Sequence, residues 1–528
     1  MMQIHRIPYA ATGRFAPVVI DHLNNEPFVR EFLPKPPDLD GLLEAARERQ
    51  FAISDRLTLC DALDRQHHGL ELHEAVEQNL KRLRAGDALT ITTGHQLCLF
   101  TGPLYVPFKI LNTIRLAKVA EERLQRPVIP VFWMATEDHD LAEVDHAFVA
   151  DRKVQWKTSA SGAVGRMTLK GIEAPLEEAI TAMGTGAFAD EIADLLRACY
   201  RPEATLAEAT RRFVLALFGR FGLITVDGDD PSLKRSFTPV MREEVLNQVT
   251  QRTVAYANER IAARYTVQAH AREINLFHLR PGHRSRIVLE GDHYVVLDGG
   301  PRWTVDQLLQ ELEHRSEDFS PNVLLRPIYQ ETVLPNIAYI GGGGELAYWM
   351  QLRWLFQGLQ VSMPVVMLRT SAGSIPEKRL RHWLGSGAGI SGLFAPLDAM
   401  KAQVAVQQVP YSTDVEKEIE RLNATYTELS VRAAAADATL KNAVEARRVQ
   451  AIRGLEQIQK GLIRAAKHDQ HVLMQRMDAA HAALFPGGGL QERKANMLPT
   501  LVAKGPQVLD EWLEVLDPLD PQFTLFVD

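Results

Sequence analysis

The 528-residue sequence predicts an α/β protein with a parallel β-sheet at its core and an α-helical coiled-coil arm toward its C-terminus. The sheet is indicated by short apolar runs that each end in a polar or glycine-rich turn, and the first two runs enclose a segment with helical spacing. A strand, a helix and a strand in succession form a βαβ unit, whose strands run parallel. The arm is indicated by residues 412–485, which contain no proline and repeat apolar residues at heptad spacing.

Composition and charge favour a large globular core. Hydrophobic residues make up 46% of the chain and charged residues 24%, as is typical of globular proteins. The net charge of −7 disfavours nucleic acid or an anionic membrane as a partner, and no apolar run of about 20 residues predicts a membrane span. The three cysteines, Cys60, Cys98 and Cys199, are too few and too far apart for a disulfide framework or a CxxC metal site. This predicts a cytoplasmic protein without a bound metal.

The apolar runs predict five strands of the parallel sheet. Residues 1–87 have a mostly helical pattern. The β-branched run 88–93 predicts the first strand, 108–124 a connecting helix and 127–134 the second strand. The remaining predicted strands are 222–226, 336–340 and 364–368.

The spacing of these runs predicts three units along the chain. Residues 1–375 form the sheet-containing core, with long segments inserted between strands at about 150–215 and 240–325. Residues 376–489 form the helical coiled-coil arm. Residues 490–528 are expected to pack back on the core and to end in a short apolar strand, FTLFV.

The arm is predicted to be a helical hairpin rather than one long helix. A straight helix over 412–485 would extend roughly 110 Å, and the apolar seam weakens after Ala433. Asp437 is suited to cap a second helix that begins at this break. Because the exposed seam of a lone hairpin is an apolar surface that usually finds a partner, we expect a homodimer in which the arm takes part. The seam residues before the break are Val415, Ile419, Leu422, Tyr426 and Leu429.

The first candidate site follows the first predicted strand. Ligands of open α/β sheets bind just past the carboxyl ends of the strands, and Pro107 suits the first turn of the next helix. Lys109 would then lie near free backbone N–H groups and favour a phosphate or a carboxylate; the alternative is a tight turn with a surface lysine. The predicted binding residues of this motif are Gly94, His95, Gln96, Thr101, Gly102 and Lys109.

Four consecutive ionisable residues, Glu137-Asp138-His139-Asp140, follow the second predicted strand. They are candidates for acid–base catalysis or for binding an ammonium group. A metal site is disfavoured because adjacent residues on an extended chain point apart, and a solvated loop with capping carboxylates is the remaining alternative. His139 is the preferred group for proton transfer, since imidazole exchanges protons most readily near neutral pH. Glu137 and Asp138 are further catalytic candidates, and Asp140 is a predicted binding residue.

The third candidate site surrounds the strand predicted at 336–340. The glycine-rich turn after this strand fits a GxGxxA pattern, but no acidic residue occurs between Glu345 and Glu377, so NAD is not expected. The glycines still allow a ligand to approach the backbone closely, and the alternative is helix–sheet packing. The predicted binding residues are Asn322, Arg326, Gln330, Glu331, Gly342, Gly344, Glu345, Tyr348 and Trp349.

Two further features limit the chemistry. Cys98 lies near His95 and His139, which would suit a Cys–His nucleophile, but a small buried side chain is the favoured interpretation. No GxxxxGK[ST] loop occurs, so a nucleotide would have to bind in another way. The carboxyl ends of parallel strands meet at one edge of a sheet. The segments that we therefore expect to converge on one cleft are 93–96, 137–140, 322–331 and 341–349.

Four sequence blocks, in this order, together resemble the bacillithiol biosynthesis cysteine-adding enzymes. They are TTGHQLCLFTGPLYVPFK, PVFWMATEDHD, FSPNVLLRPIYQETVLPNIAYIGGGGELAYW and LFPGGGLQER. Each block alone is unspecific, but the set is specific and extends from about Thr92 to Arg493. The chain departs from the expected family pattern at His95, where the family is expected to have Gln, and at Gly343, where it is expected to have Pro.

The resemblance implies a Rossmann-like core of the nucleotidyltransferase type with two connecting-peptide insertions and an antiparallel coiled-coil arm. The implied reaction joins L-cysteine to glucosaminyl malate through an amide bond at the sugar amine, as the last step of bacillithiol-type thiol biosynthesis. Amide formation from a free carboxylate needs activation, which an adenylate or an acyl phosphate would supply. ATP or ADP is therefore the expected cofactor.

Two other functions stay open at this point. An adenylating, nucleotidyltransferase-like enzyme could act on another carboxylate and amine, although the HIGH-type phosphate loop of class I aminoacyl-tRNA synthetases is absent. A coiled-coil scaffold that only holds a nucleotide would need no catalysis. The scaffold hypothesis predicts that the polar residues at the strand ends are dispensable.

Overall fold

The protein contains α-helices and four β-sheets, and this computed structural model describes residues 3–528. A parallel sheet lies at the centre, and the other three sheets surround it. The strands in chain order are β1 (Gln3–Pro8), β2 (Leu89–His95), β3 (Val128–Met134), β4 (His146–Val149), β5 (Arg152–Gln155), β6 (Ile224–Asp227), β7 (Leu276–Arg280), β8 (His283–Glu290), β9 (His293–Val296), β10 (Arg302–Trp303), β11 (Phe319–Pro321), β12 (Asn336–Gly341), β13 (Val365–Leu368), β14 (Ala372–Ile375) and β15 (Gln522–Val527).

The central sheet has the strand order β13-β12-β2-β3-β6, and all of its strands are parallel. Each strand corresponds to one of the five apolar runs, so the predicted parallel sheet is confirmed. Every residue of β3 and of β12 is buried. Strands of this kind read as continuous apolar runs because helices cover both faces of a parallel sheet.

Helices pack on both faces of the central sheet. Leu39–Glu48 and Tyr105–Leu124 lie on one face, against side chains such as Ile91. Ile53–Gln66 and Pro231–Asn247 lie on the opposite face. The α-helices in chain order are Tyr9–Thr12, Pro17–Leu23, Pro27–Arg30, Leu39–Glu48, Ile53–Gln66, Glu74–Arg84, Tyr105–Leu124, Leu141–Val144, Glu173–Ala182, Ala189–Cys199, Leu206–Phe218, Pro231–Asn247, Val249–Ile261, Val305–His314, Arg326–Val333, Gly343–Trp349, Arg353–Gly358, Glu377–Leu384, Leu397–Gln407, Glu416–Ala436, Ala438–Asp469, His471–Leu484, Leu498–Lys504 and Val508–Val515. Over the described residues, none of these helices is both long enough and apolar enough to cross a membrane.

The two long connections between core strands form lobes beside the sheet. The first lobe contains the β4–β5 hairpin and three helices, which end with Leu206–Phe218. The second contains an antiparallel sheet of order β10-β9-β8-β7-β11, which the sequence analysis did not predict. Its strands alternate between buried and partly exposed residues, so they lack the continuous apolar runs of the central strands. Tight turns at Gly282 and Gly291, both with positive φ, connect β7 to β8 and β8 to β9.

The arm is a helical hairpin, as predicted. Helices Glu416–Ala436 and Ala438–Asp469 pack against each other along their length. Asp437 lies between them and accepts a hydrogen bond from the backbone N–H of Thr439 at 2.8 Å, which confirms the predicted cap. Apolar side chains of the arm stay exposed, with Val431 at 69%. The homodimer therefore stays a prediction that this surface favours.

The C-terminal strand joins the beginning of the chain. β15 pairs antiparallel with β1 and parallel with β14, and it confirms the strand predicted from FTLFV. A buried ion pair attaches the same segment to the end of β13, where Arg369 donates to both carboxylate oxygens of Glu492 at 2.8 and 2.9 Å. The C-terminal segment is thus held to the edge of the sheet at which the central strands end.

Candidate active site

The carboxyl ends of the central strands open into one large cavity, which we call the main cleft. Its volume is about 790 Å³, and its walls include residues that follow β2, β3, β12 and β13 together with residues of the antiparallel sheet. All four segments that were expected to converge contribute to it. The predicted site residues that line it are Gly94, His95, Gln96, Glu137, Asp138, Asn322, Arg326, Gly342, Gly344, Glu345 and Tyr348.

The other predicted residues lie behind or beside these walls. Trp349 is buried and stacks on Tyr339, with 4.7 Å between ring centroids, which corresponds to the helix–sheet packing alternative. Thr101 and Gly102 form a turn with positive φ, and Asn496 donates to the Gly102 carbonyl at 2.8 Å. That turn therefore anchors the C-terminal segment. The full set outside the cleft is Thr101, Gly102, Lys109, His139, Asp140, Gln330, Glu331 and Trp349.

Lys109 is buried and already paired. Its ammonium donates to the Gly94 carbonyl at 2.6 Å and to Oε2 of Glu345 at 2.7 Å. Lys109 was expected to bind an anionic ligand. Its charge is instead neutralised by Glu345 inside the protein. Burial alone would raise the pKa of Glu345, but Lys109 and the Gly342 N–H lower it to about 2. The cleft wall at this point therefore carries a carboxylate instead of a free cation.

Arg326 is a cation in the cleft wall. A series of hydrogen-bonded polar side chains holds it in position. Its guanidinium donates to Oε1 of Gln330 at 3.0 Å and to the Tyr348 hydroxyl at 3.2 Å. Gln330 donates in turn to Glu331 at 2.8 Å, and burial raises the pKa of Glu331 to about 7. Gln330 and Glu331 lie on the buried side of their helix, so they support Arg326 from behind and do not line the cleft.

Glu137 is a buried carboxylate in the cleft wall. Lys234 places its ammonium 2.9 Å from Oε1 of Glu137 but directs hydrogen bonds to Asp229 and to the Glu317 carbonyl. Burial raises the pKa of Glu137, and the charge of Lys234 opposes this effect. Among the described residues, Oε1 has an ion-pair partner but receives no hydrogen bond of good geometry. Glu137 nevertheless lines the cleft with 11% of its side chain exposed, so its carboxylate can accept a hydrogen bond or a proton from a bound molecule.

Asp138 is held as an anion beside Glu137. Burial alone would raise its pKa, but hydrogen bonds from His139 and Gln96 and the charge of Arg284 hold it well below its usual range. Gln96 donates to Oδ2 of Asp138 at 2.9 Å. Asp138 is therefore suited to bind a cation and, as a weak base, unsuited to remove a proton near neutral pH.

His139 and Asp140 lie outside the cleft. Nδ1 of His139 is 2.9 Å from a guanidinium nitrogen of Arg284, and because a guanidinium only donates, Nδ1 is the acceptor. This nitrogen is therefore occupied within the protein. Asp140 is exposed and does not line the cleft, and its backbone N–H is directed to Asp138. Within residues 3–528, no cluster of three or more His, Cys, Asp or Glu side chains could hold a metal ion.

His95 and Cys98 are both neutral by virtue of burial. Burial lowers the pKa of His95 to about 3, and its Nε2 lies 3.2 Å from the Tyr105 hydroxyl. Burial raises the pKa of Cys98 to about 12, although Sγ is 3.8 Å from Nε2 of His95. The nucleophile of cysteine chemistry is the thiolate. The arrangement therefore favours the interpretation of Cys98 as a small buried side chain.

We predict that the folded protein exposes no fast-reacting thiol at neutral pH. Cys60, Cys98 and Cys199 are all free and buried, and burial raises the pKa of each. A thiol-reactive aromatic disulfide should give almost no rapid release of its chromophore from the native protein, and three equivalents after denaturation. Rapid labelling of Cys98 in the native state, located by peptide mass spectrometry, would contradict this assignment.

Arginines from distant parts of the chain complete the main cleft. Arg284, on β8, donates to Ser320 Oγ at 2.9 Å and to the Pro321 carbonyl at 2.8 Å. Arg369 follows β13, and Arg493 comes from the C-terminal segment. None of the three was among the predicted site residues. Arg369 follows a predicted strand, so the strand-end rule could have found it, and Arg493 ends the LFPGGGLQER block, whereas no local pattern marks Arg284.

Comparison with known proteins agrees with this architecture. Residues 2–370 match the family model of the BshC N-terminal Rossmann-like domain of bacillithiol biosynthesis, and residues 378–527 match that of the BshC C-terminal coiled-coil domain. Relatives named cysteine ligase BshC include a protein of Flavobacterium johnsoniae, 34% identical over 98% of both chains. Those of Cytophaga hutchinsonii and Salinibacter ruber are 32% and 30% identical, over 98% and 96% of this chain and 97% and 95% of theirs. The parallel-sheet core, the helical arm and the full-length similarity lead to one conclusion: this chain belongs to the BshC family of bacillithiol biosynthesis, a family of cysteine ligases.

Proposed function

We propose that the enzyme joins the carboxylate of L-cysteine to the amine of glucosaminyl malate in the main cleft. The observation that carries this proposal is that guanidinium and carboxylate groups face one cavity of about 790 Å³. Arg326 and Arg284 suit the malate carboxylates, to which guanidinium groups bind with charge-assisted hydrogen bonds. Glu345 and Glu137 suit the amine and hydroxyl groups of the sugar, which are hydrogen-bond donors. A pocket with charges of one sign only would favour either the malate carboxylates or the sugar amine of glucosaminyl malate, but not both.

The reaction needs a neutral amine and an activated carboxylate. The sugar amine attacks the carboxyl carbon of cysteine, a C–N bond forms, and the C–O bond to the leaving group breaks with both electrons. Glu137 is the proposed acceptor of the amine proton, because a carboxylate of raised pKa suits proton transfer near neutral pH. ATP is the proposed activating reagent, and it would make the leaving group a phosphate or AMP.

Glu137 is preferred to His139 as the proton acceptor. Glu137 lines the cleft, whereas His139 lies outside its wall and its Nδ1 accepts from Arg284. A general base must come within hydrogen-bond distance of the proton that it removes. In this proposal His139 contributes through its backbone N–H, which donates to Asp138 at 2.7 Å.

A ligation assay tests the proposed function. The purified full-length protein is incubated with L-cysteine, glucosaminyl malate and ATP under reducing conditions, which match the cytoplasm proposed for the reaction, and products are measured by mass spectrometry. We expect the acceptor to gain one cysteinyl residue only when all three compounds are present. Absence of this product would contradict the proposal, and efficient ligation of a different amino acid in its place would favour the adenylating alternative.

A thiol measurement in cells separates the enzyme from the scaffold hypothesis. A deletion strain should lose its bacillithiol-type thiol, and the wild-type chain should restore it. A Glu137→Gln chain of equal abundance should fail to restore the thiol, because the proposed reaction needs this carboxylate as the proton acceptor. A scaffold without catalysis would not need it. Full restoration by Glu137→Gln would favour the scaffold.

A further inference from the structure

A second cavity, which we call the side chamber, adjoins the main cleft beside the end of β2. Its volume is about 380 Å³. Three side chains, those of Gln96, Tyr105 and Arg493, line both cavities. A molecule bound in the side chamber would therefore present one end to the contents of the main cleft.

Hydrogen bonds hold two of the shared side chains, Gln96 and Tyr105, in position. Nε2 of Gln96 donates to Asp138, which lines the main cleft, and also to Glu143, which lines the side chamber. The Tyr105 hydroxyl is 3.2 Å from Nε2 of His95. These contacts hold the side chains that separate the two neighbouring cavities in place.

The charges of the side chamber are of both signs. Glu143 supplies a carboxylate, and Arg493 and Lys494 supply two cations. Across residues 3–528, no carboxylate lies within 4.0 Å of the side-chain nitrogens of Arg493 or Lys494, whereas Lys494 lies over the Phe148 ring at 5.1 Å. Glu143 would repel a phosphate, and the two cations would repel a metal ion. A small zwitterion satisfies both signs at once.

We propose that the side chamber is the subsite of the amino-acid substrate. This assignment rests on the proposed function, since it places the two ends of the new amide bond in adjoining cavities. The α-carboxylate lies at Arg493 and Lys494, next to the main cleft where the sugar amine is bound. The α-ammonium lies at Glu143, and the thiol lies against the apolar part of the wall. The apolar wall residues are Pro103, Ala147 and Phe148.

Binding of three related thiols to the full-length protein tests this arrangement. L-cysteine carries both charged groups, 3-mercaptopropionate lacks the ammonium, and cysteamine lacks the carboxylate. By calorimetry under reducing conditions, the wild type should bind L-cysteine most tightly. Glu143→Gln should weaken L-cysteine binding by about 10–100-fold, as expected for losing a hydrogen bond to a charged group, and should leave 3-mercaptopropionate binding unchanged. Lys494→Met should likewise weaken L-cysteine and leave cysteamine unchanged.

Kinetics and controls complete the test. Glu143→Gln and Lys494→Met should raise the KM for L-cysteine and leave the KM for the amino sugar unchanged. Lys170→Met, at an exposed lysine outside both cavities, is the matched control and should behave as the wild type. Thermal melting establishes that each variant is folded.

The outcomes distinguish this proposal from the proposed function. If ligation proceeds and the folded variants Glu143→Gln and Lys494→Met bind L-cysteine as the wild type does, the subsite is overturned while the ligase function stands. If the three thiols show the expected selectivity but no cysteinyl product forms under any condition, the proposed function fails while the amino-acid subsite stands.

Discussion

Glu137→Gln should lower the kcat of ligation by about 10²–10⁴-fold, the usual cost of losing a positioned general base, with little change in the KM for either substrate. The amide keeps the size and most of the hydrogen-bonding capacity of the side chain, so binding is largely preserved. It cannot accept the amine proton. Steady-state kinetics with saturating L-cysteine, amino sugar and ATP measures the effect.

The pH dependence provides a second readout of the same residue. Burial raises the pKa of Glu137, and only the ionised form can act as a base. As the pH falls through this raised pKa the base is protonated and the rate declines; as the pH rises through it the rate increases to a plateau. The acidic limb of the wild-type profile should therefore lie above the pH of about 4.3 at which an ordinary glutamate titrates, and Glu137→Gln should abolish that limb.

Two other variants control for nonspecific effects. Glu173→Gln, at an exposed position at the start of a helix, should leave kcat unchanged. His139→Ala should cost much less than Glu137→Gln, because the imidazole lies outside the cleft. If His139→Ala abolishes turnover and Glu137→Gln does not, the imidazole is the proton acceptor and the present assignment is wrong.

Glu492→Gln should destabilise the protein by about 3–5 kcal/mol, the usual cost of removing one partner of a buried ion pair. The carboxylate of Glu492 is fully buried, and Arg369 is only 5% exposed. Glu492 also accepts from the backbone N–H of Ala372, so the substitution weakens the attachment of the C-terminal segment to β14. Urea denaturation should show an earlier transition, and limited proteolysis should cut the C-terminal segment sooner.

A surface pair and a double variant give the matched controls for this prediction. Lys504→Gln breaks the ion pair with Asp528, in which both side chains are 36% exposed, and should cost less than about 1 kcal/mol. Replacing both buried partners, Arg369→Met with Glu492→Leu, should recover part of the lost stability, because no uncompensated charge then remains in the interior, although the backbone N–H of Ala372 loses its acceptor. Equal effects of Glu492→Gln and Lys504→Gln would refute the proposed role of the buried pair.

Local patterns in the sequence were sufficient to predict the sheet and the arm. The strands β2, β3 and β12 are buried on both faces, so each appears in the sequence as a continuous apolar run that ends in polar residues. Asp437 caps its helix through contacts with the next few residues, which a sequence pattern contains in full. The same patterns predicted that the segments after the strands converge, because the carboxyl ends of parallel strands lie at the same edge of the sheet.

Only the tertiary structure decided which charges face the cleft. Lys109 and Glu345 are 236 positions apart, and their contact turns an expected anion site into a carboxylate wall. Arg284 reaches the cleft from an antiparallel sheet whose alternating strands gave no continuous apolar run, and Arg493 reaches it from the C-terminal segment. Secondary structure is encoded by neighbours in sequence, whereas the charge state and accessibility of a side chain depend on burial and on partners that folding brings from elsewhere in the chain.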